Sequence, residues 1–282
     1  MMSIPQFFPK IYSRLLDYIW QLKSAIWKNK FVTFTLVDGS QFDYPLRSAI
    51  GRSLFTRRFE VAELAFVRLA LKPGDIFFDI GANGGIFTVI AARRVGPGGH
   101  VYAFEPGLRE LELLYRNIKK NNLANVTVVE RAVSNASGKS QFAVSRDGAM
   151  NSLSRTNHPG QEIQGWRIVE TVSLDDFVDE FYIQKVDFIK IDVEGAEKLV
   201  FEGASRLLLP GCRVTILFES SELNASGFGY SVREFLSSMS KTGLSVYYLD
   251  QDCSLLPILM QDIRLGREIY NFVATVTEND VS

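Results

Sequence analysis

The run Asp79-Ile80-Gly81-Ala82-Asn83-Gly84-Gly85 follows an apolar stretch directly and opens a helical one. Glycines at such a turn let the backbone approach a ligand and accept positive φ, and a helix N-terminus suits an anion. The run is no dinucleotide fingerprint. Counted from Gly81, Asn83 and Ile86 stand at the third and sixth positions, where G-x-G-x-x-G needs glycine. It also lacks the Gly-Lys-Ser/Thr of a Walker A loop. A carboxylate at Asp79 repels pyrophosphate but attracts a cationic amino group. Glu105 ends the next apolar run, where a carboxylate accepts both hydroxyls of an unphosphorylated ribose. Asp192 and Glu194 end a later run, and Glu219, with Glu222 close behind, ends the one after that. Acids at such an edge bind a substrate hydroxyl, act as a general base or hold a divalent cation. Each also has a plainer reading as a helix cap or surface acid, and Glu197 most of all.

The elements that position these residues alternate. Apolar strands read at Ile76–Ile80, Val101–Glu105, Val126–Glu130, Phe188–Asp192 and Val214–Glu219, with helical stretches at Gly85–Val95, Leu108–Asn121, Ala196–Leu208 and Val232–Thr242. This alternation predicts an α/β fold with a mostly parallel sheet covered on both faces. Leu244–Leu249 and Tyr270–Thr277 have no helix between them and predict an antiparallel pair at one edge. Residues 134–173 form a polar insertion with short strands at Gln141–Val144 and Arg167–Val172, placed to cover the mouth of a site. His158 lies in it.

Ahead of this domain, expected over 51–282, residues 1–50 read as an appendage. Phe8, Ile11, Leu15, Ile19, Leu22 and Ile26 give residues 6–27 an amphipathic helical stripe. Phe31–Val37 and Gln41–Tyr44 flank Asp38-Gly39, a hairpin signal. The helix packs on protein, whether its own domain or a second subunit, or lies on an anionic membrane surface; Trp20 and Trp27 keep the second reading open.

Composition narrows the function. With 31 Lys and Arg against 32 Asp and Glu, a net charge of −1 gives no electrostatic footprint for nucleic acid. Two His exclude His-rich metal sites, and two Cys exclude a disulfide framework or four-thiolate zinc site. No metal is therefore assigned. Reduced thiols suit the cytoplasm, and no apolar run is long enough to span a bilayer. A ligand with an amino acid end and a nucleoside end satisfies both Asp79 and Glu105. S-adenosylmethionine is such a ligand.

Lys72–Gly85, Ala103-Phe104-Glu105-Pro106, Ala132-Val133-Ser134 and Ile189–Glu197, in that order, resemble the FkbM-type methyltransferases over residues 60–220. The resemblance implies a class I, Rossmann-like fold, with a seven-stranded sheet and a reversed last strand. It implies S-adenosylmethionine as cofactor and a hydroxyl acceptor on a sugar, glycolipid or natural product. By it, Asp79, Gly81, Asn83 and Gly85 surround the methionine part, Glu105 and Pro106 the ribose, and Ala132 and Val133 the adenine. By it too, Glu60 reaches the cofactor, and Asp192, also beside the cofactor, and Glu194 lie in the catalytic region. A hydroxyl acceptor must lose its proton, and among the acids at this edge Asp192 is the first choice of base and Glu219 the second catalytic candidate. N-methylation of a small molecule and a non-catalytic, cofactor-binding adaptor are the alternatives.

Overall fold

The computed structural model describes residues 10–26, 30–209, 212–258 and 269–276. Residues 6–9, Trp27 and Thr277, included in the expected elements above, lie outside the described residues. The chain forms two compact units, Met1–Val61 and Ala62–Ser282.

In the first unit, α1 (Lys10–Ile26) precedes a hairpin of β1 (Phe31–Thr35) and β2 (Gln41–Pro45), paired antiparallel from Phe31↔Pro45 to Thr35↔Gln41. Gly39 takes the positive φ that the Asp-Gly turn requires. Helix α2 (Ala49–Phe55) is capped by Ser48, whose Oγ accepts the Gly51 N–H at 3.2 Å. Alternation along β2 turns Phe42 and Tyr44 into the core of this unit, where Trp20, Leu46 and Leu54 are also buried.

Helix α3 (Val61–Ala70) starts at the boundary and lies in the second unit from Ala62 on; β3 (Ile76–Ile80), α4 (Ile86–Val95), β4 (His100–Phe104), α5 (Leu108–Lys120) and β5 (Val126–Val129) follow. A short β6 (Ala132–Val133) leads into β7 (Gly138–Ser145) and β8 (Ile163–Val172), and these three form a separate small sheet. After α6 (Leu174–Glu180) come β9 (Phe188–Ile191), α7 (Glu197–Glu202), β10 (Thr215–Ser221), α8 (Glu222–Ser226), α9 (Val232–Lys241), β11 (Leu244–Leu249), β12 (Leu255–Pro257) and β13 (Ile269–Val276).

The main sheet runs β12-β11-β13-β10-β9-β3-β4-β5, with β10, β9, β3, β4 and β5 mutually parallel. Near-continuous apolar strands such as Phe188–Ile191 are buried on both faces, as a helix-covered parallel sheet requires. The fold is that of a class I, Rossmann-like α/β domain. Strand β13 runs antiparallel to both β10 and β11, so the reversed last strand lies inside the sheet. An eighth strand, β12, forms the edge instead, paired with β11 through three exposed residues.

Strand order reverses at β3. The chain passes outward through β4 and β5, then returns to place β9 on the other side of β3. A ligand crevice opens at such a switch point, beyond the carboxyl ends of the strands. Asp79 pairs with Lys190 and Ile80 with Ile191, so the loops after Ile80 and Ile191 leave the sheet side by side. Beneath them, Phe177 of α6 packs edge-on to Phe78 and Phe104, with ring centroids 5.7 and 4.7 Å away.

Candidate active site

Asp79 reaches the carboxyl edge of β3 almost wholly buried, 1% exposed. Thr88 of α4 donates to its Oδ2 at 2.5 Å, while the buried Oδ1 has no hydrogen-bond partner. Burial holds this carboxyl above the ordinary range, with Lys190 and Thr88 opposing the shift. The loop that follows is left-handed at Gly81, Asn83 and Gly85. A Cβ at Gly81 would overlap the carbonyl oxygen of Asp192, so the β3 and β9 loops approach more closely than any side chain there permits. Asn83 tolerates its positive φ, and its own Oδ1 accepts the Gly84 N–H at 2.7 Å.

Glu105 is 5% exposed. Its oxygens accept the N–H groups of Asn83 at 2.8 Å and Gly107 at 2.7 Å. A carboxylate has about four lone-pair sites, so each oxygen keeps capacity for a ligand hydroxyl. Burial pushes Glu105 up to about 8; the Gly107 N–H opposes this and the nearby Glu110 charge adds to it. Glu110, also buried, accepts from Arg109 Nε at 2.8 Å and Asn151 Nδ2 at 3.0 Å. Pro106 has no N–H to give and takes the chain out of the sheet. Ala132 packs with Phe142 and Val169, and Val133 lies in the main core.

Across the switch point the acids converge. Asp192, Glu194 and Glu219 each place a carboxylate oxygen within 4.8 Å of the others, all three partly exposed. Lys190, two residues before Asp192 and so on the same face of β9, brings Nζ to 2.7 Å from Asp192 Oδ2 and 4.5 Å from the centroid of the Phe87 ring. Glu194 sits at φ 54° before Gly195 at φ 105°, two successive positive-φ residues that end the extended run after Asp192. Its Oε2 accepts from Asn224 Nδ2 at 2.6 Å. Burial holds the Glu194 carboxyl well above the usual range, and the Asp192 and Glu197 charges raise it further. Glu197 is buried and fastens the turn, accepting the Gly195 N–H at 2.9 Å and lying 3.0 Å from the Tyr230 hydroxyl. Burial pushes it up to about 7.

The insertion touches both halves. Asn83 Nδ2 donates to Gly148 O at 3.4 Å, Arg109 Nη1 to Arg146 O at 2.9 Å, and Ser152 Oγ to Glu194 O at 2.8 Å. His158 serves its own turn, its Nδ1 accepting the Gly160 N–H at 3.0 Å. Asn151 and Ser152 lie in the insertion expected over the site, whereas Thr88, Glu110, Lys190 and Asn224 are not among the residues the sequence assigns to it. Only Lys190 carried a signal, its two-residue spacing from Asp192; the others meet the site through tertiary contacts. All residues gathered here belong to the second unit, whereas Glu60 belongs to the first.

The sequence matches the methyltransferase FkbM domain over residues 79–245, more than half of the chain. It is 26% identical over 198 residues to the 31-O-demethyl-FK506 methyltransferase FkbM of Streptomyces tacrolimicus, covering 59% of this chain and 74% of that one. It is 31% identical over 157 residues to the 2-O-methyltransferase NoeI of Sinorhizobium fredii, covering 50% and 62%. To the hexuronic acid methyltransferase AglP of Haloferax volcanii it is 27% identical over 145 residues, covering 50% and 56%. The cofactor of such a methyltransferase is S-adenosylmethionine, and the donor set here fits it. A buried carboxylate oxygen without a partner suits an ammonium, and a second buried carboxylate with lone pairs to spare suits a ribose. With a match that extends from Asp79 to Ser245, the chain belongs to the methyltransferase FkbM domain family.

Proposed function

We propose that this methyltransferase acts on a hydroxyl oxygen of a sugar, glycolipid or natural product, with Glu194 as the proton acceptor. The convergence of Asp192, Glu194 and Glu219 beside the Gly81 loop carries this reading. The names of these three relatives support it: two specify an oxygen position and the third a sugar acid. S-adenosylmethionine supplies a sulfonium methyl group. This chain's part is to hold the acceptor oxygen in line with that methyl and to take its proton, and positioning alone is worth several orders of magnitude. Asp192 is held by the Lys190 ammonium, whereas the hydrogen-bond partner of Glu194 among the described residues is the neutral Asn224 amide, on one oxygen only, and burial raises the Glu194 proton affinity as a base requires. Asp79 faces the α-ammonium, Gly81, Asn83 and Gly85 line the methionine part, Glu105 and Pro106 hold the ribose, and Ala132 and Val133 flank the adenine end.

The test is titration calorimetry with S-adenosylhomocysteine, followed by labelled methyl transfer to candidate glycans. Glu194→Gln should keep product affinity within about threefold and lower kcat by roughly 100-fold or more. Absence of S-adenosylhomocysteine binding would overturn the role given to the Gly81 loop. Full turnover in Glu194→Gln would remove Glu194 as the base.

A further inference from the structure

The two units of this chain differ in charge. Residues 1–61 hold nine Lys and Arg against four Asp and Glu, and the remaining residues 22 against 28. Asp17, the one acid of α1, is ion-paired to Arg52 at 3.0 Å and to Arg58 at 3.5 Å. Helix α1 also has two apolar faces. One is satisfied within its unit: Trp20 is 4% exposed, with ring centroids 5.3 Å from Phe55 and 6.2 Å from Phe34. The other carries Leu15, Tyr18, Leu22 and Ile26, spaced by three, four and four residues, and these are 51, 59, 46 and 70% exposed. Such spacing makes one continuous stripe, which runs about 17 Å along the helix from Leu15 to Ile26.

Charge selects what covers the stripe. A second copy would bring two cationic units together, which is repulsive. An anionic lipid surface instead supplies both an apolar layer for the stripe and negative headgroups for a unit with an excess of basic residues. No helix among the described residues is long and apolar enough to cross a membrane, so α1 would lie along the surface. Trp20 takes no part, being buried; Leu15, Tyr18, Leu22 and Ile26 make the contact. We propose that the exposed stripe of α1 docks this protein onto an anionic membrane surface, whatever its methyl acceptor.

Flotation of the full chain with vesicles tests this directly. Binding to vesicles of mixed phosphatidylglycerol and phosphatidylcholine should exceed binding to phosphatidylcholine alone by about tenfold or more, and should fall as salt rises. Leu22→Glu with Ile26→Glu should remove about nine-tenths of the binding. The thermal midpoint should not change, because both side chains already face solvent. Leu15→Glu with Tyr18→Glu should do the same from the other end of the stripe. Equal binding to both vesicle types, or undiminished binding by both double variants, would overturn the proposal. So would a wild-type dimer that ignores vesicles and dissociates in these variants, which would make the stripe a subunit interface.

Discussion

Two sets of carboxylates meet where β3 and β9 leave the sheet, and they are held in opposite ways. Asp79 and Glu105 are buried and fastened by a hydroxyl and two backbone N–H groups. Burial raises the proton affinity of both, so the ionised form awaits a ligand that supplies a positive charge or further donors. Asp192, Glu194 and Glu219 keep some contact with solvent, and a lysine ammonium lies 2.7 Å from the first. The difference divides the labour. A rigid, dry pair suits the binding of one invariant cofactor, while a half-open, partly compensated group suits proton exchange with a variable acceptor.

The sharpest way to break this division is Gly81→Ala. The residue is left-handed, and its new Cβ would collide with the Asp192 backbone, so the substitution strains both halves together. Strain and overpacking together should cost about 4 kcal/mol. Thermal denaturation should show that loss, and calorimetry a fall of at least about 100-fold in S-adenosylhomocysteine affinity.

A smaller effect separates the sets by pH. Glu197, beneath the second set, is raised by burial from 4.5 to about 7 in the folded protein. Its proton therefore favours folding: that stability is complete below about pH 4.5 and is lost as pH rises through 7. At 1.36 kcal/mol per unit, the loss is about 3 kcal/mol. Glu197→Gln keeps an acceptor for the Gly195 N–H and should reduce the difference in urea stability between acid and mildly alkaline buffer by about that amount. Asp79, Glu105 and Glu194 shift in the same direction, so some slope should persist.

Within the first set, Glu105→Gln turns an amide NH₂ toward one of two backbone donors, Asn83 or Gly107. The orphaned N–H should cost about 2 kcal/mol. S-adenosylhomocysteine affinity should fall about tenfold in calorimetry, while kcat at saturating cofactor stays near wild type. An equal fall in kcat would show that the two sets do not act separately.

These contrasts were unevenly legible in the chain. Ile76–Ile80, the Gly81–Gly85 turn and Phe188–Ile191 follow from local pattern, because a doubly covered strand is apolar at nearly every position, and Asp79 and Lys190 stand out as the exceptions. Helix α7 was expected to reach Leu208 but ends at Glu202. Gly203 follows, packed so closely on Ser134 that a Cβ would overlap its carbonyl oxygen. Strand β12 offers three exposed residues and no period to detect. The insertion's place over the site is legible as a polar break in the strand–helix alternation, but the particular bonds it makes there are not. Asn151 and Ser152 read as loop residues, and their partners Glu110 and Glu194 lie about forty positions away.

That hold gives the finest test of the comparison. Asn151 joins the insertion to the first set: its Oδ1 accepts the Ser145 N–H at 2.8 Å and its Nδ2 donates to Glu110, the neighbour of Glu105. Ser152 joins it to the second set through the Glu194 carbonyl. Each single bond is worth about 1 kcal/mol. If the sets work separately, Asn151→Ala should weaken S-adenosylhomocysteine binding a few-fold and leave kcat unchanged, whereas Ser152→Ala should lower kcat a few-fold and leave that affinity unchanged. Equal effects of both variants on both quantities would mean that the insertion couples the two sets, so that cofactor binding also arranges the acids around the acceptor oxygen. A double-mutant cycle distinguishes the outcomes, since independent sites add and coupled ones do not.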